Sequence, residues 1–204
     1  MNLVRAFSWV TLRFLYQVRV RHADRIPEGP AVLVPNHVSM IDAGLIAAHV
    51  RRRVHYAMHW KIYRALRWIV APLGAFPIAS RSESPVVYES CFARIGAILD
   101  KGELICIFPE GQLTLDGEVG PFRAGLLKIL ERNPVPVVPV GLRGLWGSYF
   151  SKKKPGLLKW PGHYMEEVEM VVGDPLPPTA SLEQVRARVC ALVAGARDEV
   201  PGPR

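Results

Sequence analysis

The feature that most constrains the fold of this chain is an alternation of short apolar runs with segments of helical periodicity. Runs typical of strands lie at 31–35, 53–59, 75–79, 103–108, 135–142 and 166–173. Helical patterns lie at about 39–50, 61–71, 84–101, 122–132 and 181–199. Strands that alternate with helices favour an α/β fold with a largely parallel sheet flanked by helices.

The first 20 residues are apolar and aromatic but also carry Arg5, Arg13 and Arg19. No run of about 18 uncharged apolar residues occurs, so we do not expect a simple transmembrane helix. No small-residue cleavage site follows an apolar core, so we do not expect a signal peptide either. We predict an N-terminal amphipathic helix over 1–20 and one folded domain over 21–204. Two interpretations of the helix stay open: it lies in a lipid headgroup layer, or it packs on the domain's own core.

The chain is basic, with 26 Lys and Arg against 18 Asp and Glu and a net charge of +8. Such a charge favours an anionic partner, for example a membrane surface, an acidic protein or a phosphate-bearing substrate. The basic runs 51–53 and 152–154 are solvated charges or contacts for anionic headgroups or an acyl carrier protein. The second run lies in an irregular, aromatic stretch (143–165) that is either an interfacial loop or a covered one. We expect no nucleic-acid partner, because most apolar residues of 51–68 follow a strand and then one helix face, as core residues do.

The histidines and cysteines do not suggest a metal site or a disulfide. His55 and His59 lie in a predicted strand, where four residues span about 13 Å, too far for one ion. Cys91, Cys106 and Cys190 are widely spaced and lie in apolar stretches, so we interpret them as reduced packing residues. We expect neither a metal nor a cofactor.

A histidine and an aspartate, His37 and Asp42, follow the first buried strand at a spacing of five positions. A regular helix through both residues would place the side chains on different faces. They pair if His37 lies in the turn before a helix and Asp42 in the helix's first turn. Ser39 is the predicted N-cap of that helix, so an alternative is that Asp42 only completes the cap.

Polar motifs follow three predicted strands, and the crevice beyond strand ends is where α/β sheets form sites. They are His37 with Asp42, then Arg81, then the sequence FPEG at 108–111. An imidazole oriented by a carboxylate is a general base for a hydroxyl. No G-x-S-x-G nucleophile elbow is present. A base without its own nucleophile suits direct attack of a substrate hydroxyl on an activated acyl group such as a thioester.

Four blocks occur in order: NHVSMID with His37-x4-Asp42, GAFPI followed by Arg81, FPEG, and VPVVPV at 135–140. Together they resemble the glycerolipid (lysophospholipid) acyltransferases. NHVSMIDAG and FPEGQLTLDG most resemble the bacterial branch that reacylates lysophospholipids such as lysophosphatidylethanolamine. The resemblance implies an O-acyltransferase that moves a fatty acyl group from acyl-CoA or acyl-acyl carrier protein to a lysophospholipid or 1-acylglycerol-3-phosphate. It also implies a peripheral or monotopic place at the cytoplasmic face of the cell membrane.

The resemblance assigns roles to single residues. His37 would be the general base, Asp42 would bind the other ring nitrogen, and Arg81 would hold the acceptor's phosphate. Glu110 and Gly111 would shape the glycerol end, where Glu110 is expected to bind a hydroxyl or a backbone N–H. Further residues that the resemblance places near the substrates are Phe108, Pro109, Asn36, Gln112 and Thr114 for the acceptor, and Pro139 for the acyl donor.

Two departures from the family's pattern concern phosphate binding. Arg81 comes three residues after Ile78, where the family usually has two, and Gln112-Leu113-Thr114 replaces the usual TRS with its second arginine. Two other functions stay open: a catalytically silent lipid-binding domain of the same fold, and a thioesterase in which water replaces the alcohol.

Overall fold

The computed structural model describes residues 16–148, 151 and 166–195, and these form a seven-stranded sheet covered by helices. The strands are β1 (Tyr16–Arg21), β2 (Ala31–Pro35), β3 (Val54–His59), β4 (Ala75–Ile78), β5 (Leu104–Cys106), β6 (Val137–Arg143) and β7 (Glu166–Val172). The helices are α1 (Asp42–His49), α2 (Trp60–Val70), α3 (Pro85–Leu99), α4 (Gly125–Arg132) and α5 (Leu182–Ala194), with a short 3-10 helix at Ala23–Arg25.

The strand order is β1-β7-β6-β2-β5-β3-β4. Every neighbouring pair is parallel except β6 and β7, which run antiparallel. The predicted α/β fold with a largely parallel sheet is therefore confirmed. Because β2, β5, β3 and β4 are mutually parallel, their carboxyl ends lie at one edge of the sheet, and the residues that follow them gather there.

The core consists of two layers, one on each face of the sheet. In β2, Ala31 and Leu33 pack in the layer that holds Leu45 and Ile46 of α1. Val32 and Val34 point to the opposite layer, which α3, α4 and α5 cover. All strand residues from 31 to 35 are buried, which explains why this strand is a continuous apolar run rather than an alternating one.

The N-terminal prediction needs correction at its end. Residues 16–20, which we assigned to the amphipathic helix, belong to strand β1, which pairs in parallel with β7. Tyr16 is buried, while Arg19 is exposed and forms an ion pair with Glu167 across the pair. The remainder of the predicted helix, 1–15, lies outside the described residues. Among the described residues, no helix is long and apolar enough to cross a bilayer.

Two details of the predicted helices are also wrong. Helix α1 begins at Asp42 rather than near Ser39, and the Ser39 hydroxyl does not cap it. In α2 the sequence pattern places Ile62, Leu66, Ile69 and Val70 on one face, as expected of core residues; Val70 is buried, but the other three are exposed. Strands β3 and β4 lie at the end of the sheet, so α2 has little of the sheet to cover.

The irregular stretch after β6 is described only in part. Leu145 is buried in the core, and the ring of Trp146 lies against Gly117, where an added Cβ would come within 2.7 Å of it. The lysines at 152–154 lie outside the described residues. The three cysteines are free thiols, as expected.

Candidate active site

His37 and Asp42 form the centre of the candidate site. His37 lies two residues beyond the end of β2, and Asp42 is the first residue of α1. His37 Nδ1 lies 2.9 Å from Asp42 Oδ2, so the predicted pairing of the two side chains is present. A carboxylate acceptor at Nδ1 selects the tautomer in which Nε2 carries the lone pair. No group among the described residues hydrogen-bonds to Nε2, and the His37 side chain is 24% exposed.

The same carboxylate oxygen of Asp42 holds the turn that carries His37. The backbone N–H groups of Val38 and Ser39 donate to Asp42 Oδ2 at 2.8 and 2.9 Å. Asp42 is fully buried, and this burial raises the pKa of its carboxyl, while the bonds from His37, Ser39 and Val38 act in the opposite direction. Asp42 therefore orients the imidazole and also binds the backbone of the turn before α1, although Ser39 does not cap this helix.

Phe108 and Glu110 reach His37 because β5 is the neighbour of β2. Leu33 and Cys106 are partners in the two strands, so both chains leave the sheet side by side. The Phe108 ring stacks on the His37 imidazole, with centroids 4.1 Å apart and an interplanar angle of 26°. This contact, together with the Asp42 bond, restrains the imidazole's orientation.

Glu110 binds the protein backbone on both sides of the site. Its Oε1 accepts from the N–H of His37 at 2.8 Å, and its Oε2 accepts from the N–H of Gly120 at 3.0 Å. The residue is only 5% exposed, and burial raises the pKa of its carboxyl. Of the two ligands expected for Glu110, the structure contains the backbone N–H.

The loop that follows Glu110, residues 111–120, wraps around the backbone of His37. The N–H of Thr114 donates to the carbonyl of His37 at 2.9 Å, so this loop and Glu110 together bind both backbone polar groups of the histidine. Gly111 opens the loop with a φ of 69°, and an added Cβ would come within 2.8 Å of the Arg123 side chain. Only glycine adopts this conformation without strain.

Two arginines bind backbone carbonyls of this loop and of Glu110 before it, and neither of them was identified from the sequence. Arg123 Nε donates to the carbonyl of Glu110 at 3.1 Å. Arg186, on α5, donates to the carbonyls of Gly120 and Val119. No local pattern marks these residues, because the contact of Arg186 depends on the packing of a helix more than 60 positions away in the chain.

Asn36 and Thr114, which we expected near the acceptor, are buried and bind the protein itself. The Asn36 amide donates to the carbonyl of Leu142 at 3.0 Å and accepts from the N–H of Leu142 at 2.7 Å, which continues the β2–β6 pairing. The Thr114 hydroxyl donates toward Asp116 and accepts from the N–H of Gly117. Their contact with substrate stays a prediction, and their polar groups have structural partners.

Arg81 lies after β4, three strands away from β2 in the sheet. At a strand spacing of about 4.8 Å, this places the two strand ends about 14 Å apart. Arg81 is exposed, and no described residue pairs with its guanidinium. Its loop is held by Glu83, which accepts from the N–H and hydroxyl of Ser80 and pairs with His59 at 3.1 Å.

The remaining predicted residues fall into two groups. Gly111 and Gln112 are exposed at the start of the loop, whereas Pro109 is buried. Pro139 is buried within β6, opposite Val34 of β2, and its carbonyl accepts from the N–H of Gly173. Its place on the acyl-donor side stays a prediction.

The described residues contain no group of His, Cys, Asp and Glu side chains arranged to hold a metal ion. His55 instead pairs with Glu103 at 2.7 Å, and His59 pairs with Glu83.

The profile of a protein family named Acyltransferase matches residues 17–143, more than half of the chain. The chain belongs to the acyltransferase family. The match covers His37, Asp42, Arg81, the FPEG block and Pro139, but not Arg186 of α5. The four blocks by which the sequence resembled the glycerolipid acyltransferases all lie within it.

Several acyltransferases of established name are similar to this chain. The 1-acyl-sn-glycerol-3-phosphate acyltransferase of Pseudomonas aeruginosa is 28% identical over 176 residues, which is 84% of this chain and 64% of the relative. Human 1-acyl-sn-glycerol-3-phosphate acyltransferase beta is 28% identical over 149 residues, 71% of this chain and 53% of the relative. The chloroplastic 1-acyl-sn-glycerol-3-phosphate acyltransferase BAT2 of Brassica napus is 25% identical over 146 residues, which is 70% of this chain and 42% of the relative. The chain thus spans about half the length of these relatives.

The fold is also similar to a solved acyltransferase structure. The crystal structure of the 1-acyl-sn-glycerophosphate (LPA) acyltransferase PlsC from Thermotoga maritima superposes with a TM-score of 0.65. The alignment covers 94% of this chain and 76% of that one at 23% sequence identity. At this identity the similarity shows the fold alone.

Proposed function

We propose that this acyltransferase transfers a fatty acyl group from a thioester to the free hydroxyl of a lysophospholipid or 1-acylglycerol-3-phosphate. The observation that carries the proposal is the His37–Asp42 pair, with Nδ1 2.9 Å from the carboxylate and Nε2 without a described partner. The names of the relatives support an acyl-glycerophosphate acceptor. The donor is acyl-CoA or acyl-acyl carrier protein, and no cofactor is required.

In the proposed reaction the acceptor's hydroxyl oxygen attacks the thioester carbonyl carbon while His37 Nε2 takes its proton. A C–O bond forms, the C–S bond breaks, and the imidazolium returns the proton to the leaving thiolate. The Asp42 carboxylate stabilises the imidazolium that forms, so the pair contributes about 10²–10⁴-fold to the rate. No covalent enzyme intermediate is needed.

Arg81 is the proposed partner of the acceptor's phosphate. It is exposed without a described acidic partner, and the end of its strand lies about 14 Å from that of β2 across the sheet. A glycerophosphate with its hydroxyl at His37 spans only part of this distance, so the long Arg81 side chain would extend along the sheet edge to meet the phosphate. The acceptor is a lipid, and as the family resemblance implies, we propose that the reaction takes place at the cytoplasmic face of the cell membrane.

One comparison tests the proposal. Three proteins are compared: wild type, His37→Ala and the control His49→Ala, in which a histidine of α1 outside the site is replaced. Each is given acyl-CoA or acyl-acyl carrier protein, with and without a panel of lysophospholipids. We expect acyl transfer only when an acceptor is present, loss of transfer in His37→Ala, and retention in His49→Ala. Thioester consumption that ignores the acceptor would indicate a thioesterase. Lipid binding without turnover in wild type would indicate a silent lipid-binding domain.

A further inference from the structure

The peptide group that joins Val119 to Gly120 lies between two ionisable side chains. Its N–H, which belongs to Gly120, donates to Oε2 of Glu110 at 3.0 Å. Its carbonyl, which belongs to Val119, accepts from Nη2 of Arg186 at 2.6 Å. Both polar ends of this single peptide are therefore bound, one by a buried carboxyl group and the other by a guanidinium group of helix α5.

This peptide joins Arg186 to His37 through Glu110. The second carboxyl oxygen of Glu110, Oε1, accepts from the backbone N–H of His37 at 2.8 Å. The guanidinium, the 119–120 peptide, the carboxyl group and the histidine N–H thus form one uninterrupted series of hydrogen bonds. Bonds in such a series strengthen one another, because a peptide whose carbonyl accepts a hydrogen bond is a better N–H donor. The positive charge of Arg186 therefore strengthens the bond from Gly120 to Glu110.

Arg186 holds the peptide at two points. Its Nη2 binds the carbonyl of Val119, and its Nε donates to the carbonyl of Gly120 at 2.9 Å. Two donors of one planar guanidinium fix the direction of the bound groups as well as their position, which the ammonium group of a lysine cannot do. The orientation of the Gly120 N–H toward Glu110 is therefore set from the other side of the peptide.

Helix α5 gives Arg186 a rigid base. Val185 and Val189 of this helix are fully buried, in the layer that also contains Val32 and Val34 of β2. The capping box at 181–184 fixes the first turn of the helix, just before Arg186. The backbone of Arg186 is thus held by the core, so its side chain reaches the loop from a fixed point.

The contact between the loop and Glu110 leaves little room for adjustment. A Cβ added to Gly120 would lie 3.1 Å from Glu110 Oε2, so the loop backbone passes directly against the carboxyl group. If the 119–120 peptide rotates, Glu110 loses one of its two donors while it stays buried, and a buried polar oxygen without a donor is costly. Glu110 would then shift toward a new partner, and the His37 N–H that it holds would shift with it.

We propose that Arg186 is a positioning residue for the acyl transfer. It orients the 119–120 peptide against Glu110, and Glu110 in turn holds the backbone of His37, so that Nε2 keeps its place beside the acceptor's hydroxyl. In this role Arg186 touches neither substrate and acts only through the groups between it and the histidine. The catalytic part of the proposal rests on the proposed function.

Steady-state kinetics of the full chain tests the role of Arg186. The variant Arg186→Gln is compared with the control Arg188→Gln, which replaces another exposed arginine of α5 and so changes the net charge equally. We expect Arg186→Gln to lower kcat about 5- to 20-fold, with both KM values unchanged within about twofold, because His37 is displaced while the substrate contacts remain. Arg186→Lys, which keeps the charge but not the two-point contact, should lie between Arg186→Gln and wild type. The control should turn over as wild type does.

A double-mutant cycle with Glu110→Gln separates positioning through Glu110 from a general effect on stability. If Arg186 acts through Glu110, Arg186→Gln should lower kcat by less than about twofold in the Glu110→Gln background. Equal losses in both backgrounds would overturn the proposal, as would wild-type turnover of Arg186→Gln or a raised KM at unchanged kcat. The proteins are assayed where circular dichroism shows them fully folded, and Arg186→Lys carries the same cycle if Arg186→Gln does not fold.

Amide hydrogen exchange followed by NMR gives a readout that needs no turnover. The N–H groups of His37 and Gly120 both donate to Glu110, so their exchange should quicken about fivefold or more in Arg186→Gln and stay at the wild-type rate in Arg188→Gln. Unchanged exchange at both amides would overturn the proposal, and so would an equal increase throughout β2, which would show a global loss of stability. If wild type transfers no acyl group but the two amides respond, the proposed function fails while the series from Arg186 to His37 stands.

Discussion

The carboxylate of Glu110 accepts a hydrogen bond from the backbone N–H of His37, with Oε1 2.8 Å from the nitrogen. The other oxygen of Glu110 accepts from Gly120, so one buried acid joins the turn after β2 to the loop after β5. The glutamate of the FPEG block therefore contributes to the site chiefly by positioning His37, the proposed general base. It acts through the backbone of His37 rather than through the imidazole.

Replacement of Glu110 by Gln is expected to lower kcat about 10- to 100-fold with little change in the acceptor's KM. The amide offers one acceptor oxygen for two N–H donors, so the turn that carries His37 shifts, and small displacements of a catalytic group are costly. Steady-state kinetics measures the effect, and Glu118→Gln, an exposed acid in the same loop, is the matched control. A raised KM with unchanged kcat would show instead that Glu110 contacts the glycerol.

Replacement of Asp42 by Asn is expected to lower kcat about 10²–10⁴-fold. The amide removes the negative charge that stabilises the imidazolium, and it presents a donor where Nδ1–H needs an acceptor. Single-turnover measurements with saturating thioester isolate the chemical step, and Asp24→Asn, an exposed acid of the 3-10 helix, is the control. Turnover equal to wild type would remove Asp42 from the mechanism.

Replacement of Asn36 by Asp is expected to destabilise the fold by about 3 kcal/mol or more. The substitution keeps the shape of the side chain but places a buried negative charge against the carbonyl oxygen of Leu142. In wild type this oxygen accepts a hydrogen bond from the Asn36 amide nitrogen 3.0 Å away. Urea unfolding followed by circular dichroism measures the loss, with Asn133→Asp, on the α4 C-terminus, for comparison. If stability is unchanged and only the acceptor's KM rises, Asn36 contacts substrate as the family resemblance implies.

The pH dependence of stability should reveal the role of Glu83. Its hydrogen bond with His59, together with those from Ser80, lowers the pKa of this exposed carboxyl from 4.5 to about 2. A lowered folded-state pKa contributes stability that is present above the unfolded value and is lost as the pH falls toward the folded one.

Wild type should therefore unfold at higher urea concentration than Glu83→Gln at pH 6, and the difference should shrink between pH 4.5 and pH 2. Because Glu83 orders the loop that carries Arg81, the variant should also show a raised KM for phosphate-bearing acceptors. If the difference in urea midpoint between the two proteins stays constant over this pH range, Glu83 does not have the lowered pKa described here.

Most strands and helices could be predicted from the sequence because their signals are local. The run 31–35 is buried on both faces and is apolar throughout. Ser84 caps α3, and Ser181 with Gln184 forms the capping box of α5. Strand β1 was missed although Tyr16, Val18 and Val20 alternate with polar residues. Its pairing partner β7 lies about 150 positions later in the chain, and no local pattern shows which edge a strand joins.

Helix α2 shows the opposite kind of error. Ile62, Leu66 and Ile69 share one helix face, and sequence periodicity predicts that such a face packs on a core. Periodicity reports that a face is apolar but not what covers it. The position of α2 beside the last two strands of the sheet leaves that face exposed, and only the strand order reveals this.

The sequence by itself determined the α/β class and the order of the motifs, and it gave the His37–Asp42 pair as one of two interpretations, because hydrophobic periodicity and short-range hydrogen bonding act between residues close in the chain. The tertiary structure alone decided that Glu110 and Thr114 bind the backbone of His37 and that Arg186 supports their loop. These contacts arise because β5 lies beside β2 and because α5 lies against the loop at 111–120. Such placements depend on how the whole sheet packs, which no short stretch of sequence specifies.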